Sequence, residues 1–198
     1  MFFLKSKDLE FACSVLGALK ALGLKPRLRR EGKYYKVEVT SKALYLLLKE
    51  ARENLEEYTL SPVDFLRGFY ESEGNLQISR RKDRDSPSIR IRIVNTSRAL
   101  LEFIQKLLRG LGIESSIRLH YKARRRVEKG KEIVERDCYV LDIHGGGRVV
   151  RFLELVRPCI YRKGLPFLLE ELKKYKLKRR LHVRVAPDVV SDNRGNEV

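Results

Sequence analysis

Apolar and polar positions along this chain follow two spacings, one typical of helices and one typical of strands. Between residues 62 and 73, apolar and small side chains recur every three or four positions, which predicts a helix with one buried face. Residues 75–81 and 88–93 instead alternate apolar and polar side chains one by one. This alternation predicts two antiparallel strands joined by a polar turn at 82–87.

The same kind of pattern continues after the second strand. Thr96 or Ser97 can cap a helix, and Gly112 is placed to end it. Further patterns predict strands at 117–122 and 139–144, a charged loop at 123–137, and helices at 148–158 and 165–176. Residues 61–176 are therefore expected to fold in the order helix, strand, strand, helix, strand, strand, helix.

The first 60 residues repeat only the later part of this order. Their patterns predict a strand end at 2–4, a helix at 8–22, paired strands at 27–29 and 35–39 around a turn at Gly32, and a helix at 42–58. The joints Leu22-Gly23-Leu24 and Leu111-Gly112-Ile113 mark equivalent positions in a degenerate repeat. We therefore expect a partial half at 1–60, a complete half at 61–176, and a basic then polar tail at 177–198.

Residues 66–74 carry the most informative string in the chain, Leu-Arg-Gly-Phe-Tyr-Glu-Ser-Glu-Gly. Ser61, followed by a proline, predicts where this helix begins. Gly68 and Ser72 lie four residues apart on one face, which lets a second helix approach closely. Glu73 then delivers a carboxylate at the helix end, immediately before a glycine. The string therefore indicates both packing and chemistry.

This string resembles the signature of the LAGLIDADG homing endonucleases, with identity at Leu66, Gly68 and Gly74 and like-for-like replacements between them. The resemblance implies an α+β LAGLIDADG fold, in which an αββαββα half-unit presents an antiparallel DNA-binding sheet. In this chain a partial copy lacking its motif helix precedes the complete half-unit. The resemblance also implies site-specific hydrolysis of DNA, an intron-encoded origin, and double-stranded DNA as the partner.

In such proteins the motif helix pairs with a second copy of itself, and its last acid holds the catalytic metal. The resemblance assigns helix pairing to Leu66, Gly68, Phe69 and Ser72. It assigns catalysis and metal binding to Glu73, with Gly74 beside it at the metal site, and implies Mg²⁺ or Mn²⁺ as the cofactor.

The resemblance also requires two acids from two adjoining helix ends. Residues 1–60 contain no helix that ends in an acid followed by glycine after closely packing small residues. Glu71 lies on another face of the motif helix, so it cannot replace the second acid, and we expect it to be solvated or paired. A complete two-acid site within one chain is therefore not expected.

The balance of charge points to a polyanionic partner. The formal net charge is +17, of which residues 1–60 contribute +4 and residues 61–198 contribute +13. If the strands bury an apolar face that includes Ile117 and Leu119, their opposite face is strongly basic. The nucleic-acid contacts expected on that face are Gln77, Ser79, Arg81, Arg90, Arg92, Arg118, His120 and Lys122, with Lys25, Arg27, Arg29 and Lys36 from the first half. Arginine on such a face reads guanine in a major groove, and glutamine reads adenine.

Other classes of protein fit the sequence poorly. No run of 18 apolar residues occurs, and Lys5 and Lys7 follow the short apolar start, so neither a membrane span nor a signal peptide is predicted and a cytoplasmic location is expected. Separated cysteines and histidines predict neither a disulfide framework nor a zinc site. The abundance of Lys, Arg and Glu is typical of thermophile proteins.

Three functions remain open at this point. The first is a metal-dependent endonuclease whose homodimer brings two Glu73 carboxylates together at a two-fold axis. The second is a catalytically silent DNA-binding relative of a two-motif endonuclease, whose first segment was lost or is encoded upstream of Met1. The third is an RNA-binding, intron-splicing (maturase-like) protein that uses the same basic sheet.

Overall fold

The computed structural model describes residues 1–79, 87–128 and 131–184. The helices of these residues are α1 (Leu9–Ala21), α2 (Lys42–Glu53), α3 (Leu55–Tyr58), α4 (Pro62–Glu73), α5 (Arg98–Gly110), α6 (Gly146–Val156) and α7 (Leu165–Arg184), with a 3₁₀ turn at Tyr161–Lys163. The strands are β1 (Phe2–Ser6), β2 (Arg27–Glu31), β3 (Tyr34–Val39), β4 (Gly74–Ser79), β5 (Ser88–Asn95), β6 (Ser116–Tyr121), β7 (Arg124–Glu128), β8 (Lys131–Glu135) and β9 (Cys138–His144).

A four-stranded antiparallel sheet organises the larger part of the structure, in the order β4, β5, β9, β6. Its register places Ile91 opposite Ile143 and Ile93 opposite Leu141, so alternate apolar side chains of neighbouring strands share one face. Helices α4, α5 and α6 pack against this sheet and enclose a core of 15 buried residues. The four strands of this sheet and helices α4, α5 and α6 therefore follow the predicted order helix, strand, strand, helix, strand, strand, helix, with the separate hairpin β7–β8 inserted between β6 and β9.

A three-stranded antiparallel sheet, in the order β1, β3, β2, forms the smaller part of the structure. Helix α1 packs on this sheet. The core between them is small, and its buried members are Ala12, Leu19, Val37, Val39 and Leu44. Few apolar side chains are thus removed from water here, which limits the hydrophobic stabilisation of this part.

Two glycine joints adopt the same backbone structure in the two parts. Gly23 has a φ of +73° and Gly112 a φ of +70°, a left-handed conformation that glycine adopts without a Cβ penalty. At each joint the next residue donates its N–H across the turn, Leu24 to Leu19 O at 3.1 Å and Ile113 to Leu108 O at 2.9 Å. The joints predicted as equivalent therefore end α1 and α5 in the same way.

Two elements differ from the sequence-based expectations. The helix predicted at 42–58 is interrupted at Asn54, whose φ of −127° is not helical, so it forms α2 and α3. The loop predicted at 123–137 contains the hairpin β7–β8. This hairpin was not predicted because its strands are mostly charged and lack the apolar alternation that marks a half-buried strand.

Strand β6 and helix α7 also correct the expectations. Leu119, predicted to be buried, is 40% exposed, because β6 is an edge strand whose pairing with β9 shifts between Leu119 and Tyr121. Helix α7 continues to Arg184, beyond the boundary predicted at residue 176. Arg81 and most of the turn predicted at 82–87 lie outside the described residues. Among those described, no helix is both long and apolar enough to cross a membrane.

Candidate nucleic-acid interface and motif helix

Helix α4 begins and packs through signals that are local in the sequence. The Ser61 hydroxyl accepts a hydrogen bond from the Asp64 N–H at 3.3 Å, and Pro62 occupies the first helical position. The buried face of the helix carries Leu66 and Tyr70, which belong to the large core. Arg67 fastens the helix to α6 by donating from Nε to the main-chain oxygen of Val156 at 2.6 Å.

The opposite face of α4 is exposed and built from small residues. Gly68 and Ser72 are both exposed, and no heavy atom outside the helix, among the described residues, lies within 4 Å of where a Cβ on Gly68 would stand. Phe69 is partly buried against the core, and Leu66 is fully buried in it. Of the four residues to which helix pairing was assigned, Gly68 and Ser72 therefore face outward.

The carboxyl end of α4 passes directly into β4. Glu73 is exposed, whereas Gly74, the next residue, is buried. A Cβ on Gly74 would collide with the Tyr70 ring and lie 2.7 Å from the main-chain oxygen of Tyr70. Only glycine fits this close approach without a shift of the helix or the strand. The backbone of Glu73 is thus held close to the start of β4 by the residue that follows it.

Lys163 holds the same helix end from the other side. This lysine is buried and donates from Nζ to the main-chain oxygens of Tyr70 at 3.2 Å and Glu71 at 2.6 Å. The Tyr70 hydroxyl donates in return to the main-chain oxygen of Lys163 at 2.9 Å. The Tyr70 oxygen also accepts from the N–H of Gly74, so Lys163 gives it a second bond, whereas the Glu71 oxygen is one of the carbonyl groups that a helix end leaves without an intrahelical partner. Burial of the ammonium group lowers the pKa of Lys163, and the positive charge of Arg162 lowers it further. The negative charges of Asp8, Glu71 and Glu73 act in the opposite direction but do not offset this lowering.

The segment that supplies Lys163 is also tied to the N-terminal part. Arg162 binds Asp8 through two hydrogen bonds, from Nε at 3.1 Å and from Nη2 at 2.9 Å. The N–H of Tyr161 donates to the Glu10 carboxylate at 3.3 Å. The start of α1, the 3₁₀ turn and the end of α4 are therefore linked in one continuous set of polar contacts.

The acids of α4 differ in what they can bind. Glu71 is buried and accepts a hydrogen bond from the main-chain N–H of Cys159, so it is paired, not solvated. Glu73 faces solvent at the helix end, and its carboxylate is the type of ligand that Mg²⁺ and Mn²⁺ prefer. No group of three or more His, Cys, Asp or Glu side chains in the described part of the chain could hold a metal ion. The residues described thus fit half of a two-acid metal site.

Glu73 stands immediately before the strand that carries Gln77 on the polar face of the sheet. Gln77 lies directly opposite Arg90 on β5, and the Arg90 Nε donates to the Gln77 Oε1 at 2.7 Å. Both side chains are partly exposed. Strand alternation in the sequence predicted both residues on this face, but the hydrogen bond between them follows only from the strand register.

An acid lies among the bases of this face and was not among the predicted site residues. Arg92 donates to both oxygens of Asp142, from Nε at 2.9 Å and from Nη2 at 3.2 Å, and Arg118 reaches the same carboxylate at 3.4 Å. Burial on its own would raise the pKa of Asp142. The hydrogen bond and charge of Arg92, with the charges of His144 and Arg118, outweigh burial, so this pKa lies below its usual value.

The basic residues predicted to bind nucleic acid on the three-stranded sheet are also paired with acidic residues. Lys36 Nζ lies 2.9 Å from the Glu38 carboxylate, and Arg29 Nη2 also lies 2.9 Å from it. Arg27 stands opposite Glu38 in the register of β2 and β3. The hydrogen bond and charge of Lys36 and the charges of Arg29 and Arg27 lower the pKa of Glu38, which keeps this acid ionised beside them.

The other predicted contacts lie at the margins of the two sheets. Ser79 ends β4, and His120 lies where the pairing of β6 with β9 shifts. Lys25 and Lys122 precede β2 and β7, and all four side chains are exposed. Of the residues that sequence reasoning missed, Asp142 carried a signal, since strand alternation places it among the bases. Lys163 carried none, because it lies 93 residues from Tyr70 along the chain.

Comparison with known proteins finds a family model that matches the central part of the chain. Residues 62–157 match the model of the LAGLIDADG-like domain. An uncharacterized protein of Methanocaldococcus jannaschii is 33% identical over 187 residues, which are 88% of this chain and 64% of that protein. The homing endonuclease I-DmoI of Desulfurococcus mucosus is 29% identical over 86 residues, 43% of this chain and 39% of that enzyme. The chain thus spans less than two thirds of the length of each relative.

Solved structures show the same fold. The crystal structure of I-DmoI in complex with DNA and Mn matches with a TM-score of 0.53 and 22% identity, over 78% of each chain. Full-length DUF199/WhiA from Thermatoga maritima matches with a TM-score of 0.50 and 17% identity, over 94% of this chain and 54% of the other. Residues 62–157 therefore contain a LAGLIDADG-like domain. The chain is related in sequence to the homing endonuclease I-DmoI over those 86 residues, and it shares the fold of I-DmoI and WhiA.

Proposed function

We propose that this protein is a metal-dependent DNA endonuclease that binds duplex DNA on the polar face of its four-stranded sheet. The observation that carries the proposal is the place of Glu73, an exposed carboxylate at the end of the motif helix and at the start of a strand of that sheet. The same chain segment thus supplies an acid for chemistry and side chains for recognition. The DNA and Mn in the matched I-DmoI structure support this assignment.

The chain's own residues have distinct parts in the proposed reaction. Glu73 binds Mg²⁺ or Mn²⁺, and Gly74 keeps that carboxylate beside the sheet. A divalent ion bound there supplies an activated water and stabilises the leaving oxygen in phosphodiester hydrolysis. Arg90 and Arg118, with Lys122 at the margin, meet the bases and phosphates that hold the scissile strand in register.

The second acid comes, in this proposal, from a second copy of the chain. The exposed face with Gly68 and Ser72 lets two α4 helices approach closely, as small residues permit. A two-fold axis along this contact places two Glu73 carboxylates side by side. A dimer of this kind predicts a partly palindromic target.

The test is cleavage of supercoiled plasmids that carry the DNA flanking this gene, joined so that the gene is removed. With Mg²⁺ or Mn²⁺, wild-type protein is expected to produce linear DNA, and Glu73→Gln to produce none while binding the DNA as tightly or slightly more tightly. The control is Glu53→Gln, which removes an equal charge from the exposed end of α2. Cleavage by Glu73→Gln at the wild-type rate would contradict the proposal, and equal loss of cutting and binding would make Glu73 structural.

A second candidate is recognition of DNA without cleavage. The observation in its favour is that the described residues supply one solvent-facing acid of the motif type, not two. No product from either protein, together with tight and salt-sensitive binding of duplex DNA, would establish this function. Preference for structured RNA over duplex DNA at the same salt concentration would instead support the RNA-binding, intron-splicing role.

A further inference from the structure

The pair formed by Gln77 and Arg90 has a defined orientation. Arginine Nε can only donate a hydrogen bond, and the carboxamide oxygen is the acceptor that a glutamine side chain offers. The 2.7 Å contact from Arg90 Nε therefore turns the oxygen of Gln77 toward the arginine and the Nε2 amino group away from it. Gln77 therefore presents its Nε2 amino group, a hydrogen-bond donor, to any molecule that binds next to the pair.

This orientation changes which base Gln77 suits. Glutamine reads adenine by accepting from N6 with its oxygen and donating to N7 with its amino group, so both ends must point at the base. The oxygen of Gln77 is engaged by Arg90 within the sheet. The amide cannot direct both ends at an adenine while this bond exists. The expectation that Gln77 reads adenine does not hold for this arrangement.

Arg90 keeps the groups that read guanine. The pair uses its Nε, which leaves the terminal amino groups Nη1 and Nη2 as donors. Its partner among the described residues is a neutral amide, which leaves the positive charge of Arg90 in place. The next outward-facing arginine on β5, Arg92, gives both Nε and Nη2 to the Asp142 carboxylate. Arg90 is therefore better suited than Arg92 to contact DNA.

We propose that Gln77 and Arg90 act as one reading unit that presents only donors and selects guanine in the major groove. Guanine offers two acceptors there, O6 and N7, whereas adenine and cytosine each present an amino donor that would face the donors of the pair. The inference rests on the proposed binding of duplex DNA by this sheet. It names the base that the centre of the β4–β5 ribbon recognises.

The test is selection of randomised duplex DNA by the full chain, with a chelator present so that cleavage does not deplete the bound pool. Wild-type protein is expected to enrich guanine at one position of the site by about 5- to 150-fold over adenine, the range of one bidentate contact. Arg90→Met removes the donor fork and releases the oxygen of Gln77. The preference at that position is then expected to change from guanine to adenine.

Two further variants separate reading from folding and from general attraction. Gln77→Met removes the partner but leaves the arginine, so guanine stays preferred with a smaller ratio, and circular dichroism checks that both variants fold. Lys122→Met, at an exposed margin, weakens binding to all sequences alike. Enrichment of adenine by the wild type, or an unchanged guanine preference in Arg90→Met, would overturn the inference. Absence of any duplex binding would instead overturn the proposed function.

Discussion

The two sheets of this protein are both rich in bases, but they differ in how those bases are balanced. On the three-stranded sheet, Lys36 and Arg29 share Glu38, and Lys5 pairs with Glu31 at 2.6 Å. On the four-stranded sheet the acid is Asp142, buried beneath Arg92, while the Arg90 guanidinium is paired with a neutral amide. The number of basic residues on a sheet therefore does not give the net positive charge that its surface presents to a polyanion, because paired acids reduce that charge.

The two sheets also differ in the packing that supports them. The four-stranded sheet lies over 15 buried apolar residues, and the three-stranded sheet over five. Helix α2, which follows the smaller sheet, leaves much of its apolar surface in water, with Tyr45 57% and Leu46 52% exposed. The larger sheet is therefore stabilised by more hydrophobic burial than the smaller one.

The largest expected effect comes from a matched pair of core substitutions. Leu108→Ala empties a fully buried site in the larger core and is expected to lower the free energy of unfolding by about 2 to 5 kcal/mol. Leu44→Ala makes the same change in the smaller core and is expected to cost clearly less, because α2 is largely exposed. Urea unfolding with an unchanged m-value measures both. Equal losses would show that the two cores are equally well packed.

A smaller effect is expected from Asp142→Asn. The loss in stability at neutral pH should be about 1 to 2 kcal/mol, below the roughly 3 to 5 kcal/mol of a fully buried pair, because Arg118 and His144 beside it are exposed. The folded-state pKa of Asp142 lies below its unfolded value, so its contribution is complete above about pH 4 and is lost as the pH falls through the folded-state pKa.

The lowered pKa of Asp142 predicts how the stability difference between wild type and Asp142→Asn depends on pH. Unfolding free energies of wild type and Asp142→Asn, determined from pH 7 to pH 2, should differ most at neutral pH and converge in acid. The variant should also bind duplex DNA more tightly at low salt, since two arginines lose their acid. A difference in stability that does not change with pH would indicate that the carboxylate is not ionised in the folded protein.

The smallest expected effect on stability comes from Glu38→Gln on the other sheet. This partly exposed surface pairing contributes little to stability, so thermal unfolding should be nearly unchanged. Release of Arg29 and Lys36 should nevertheless strengthen duplex binding at low salt and steepen its salt dependence. If affinity and salt slope both stay at wild-type values, the three-stranded sheet does not approach the DNA.

The sequence predicted elements that depend on local signals and missed those that depend on register or distant contacts. Helix α4 was predicted with its observed bounds, because Ser61, Pro62 and Gly74 mark its ends within a few residues of chain. The partnership of Arg92 with Asp142 joins residues 50 positions apart and follows only from the pairing of β5 with β9. The charged hairpin β7–β8 carries no apolar alternation that could reveal it.

The candidate site divides in the same way. Glu73 was predicted as a site residue from a short string of letters, since that prediction depends only on the last turn of one helix. Lys163 donates to the end of α4, and Arg90 donates to Gln77. Both hydrogen bonds join residues that meet only in the folded chain. Their chemistry was visible in the sequence, but their partners were not.

The two glycines of the motif are constrained by different things. At Gly74 a side chain would collide with Tyr70 of the same chain, which already fills the space. At Gly68 the described residues leave that space open, so the fold itself places no atom in the way of a larger side chain. One glycine is thus required for a single molecule to fold, and the other would be required only by a second helix that packs there, as in the proposed dimer.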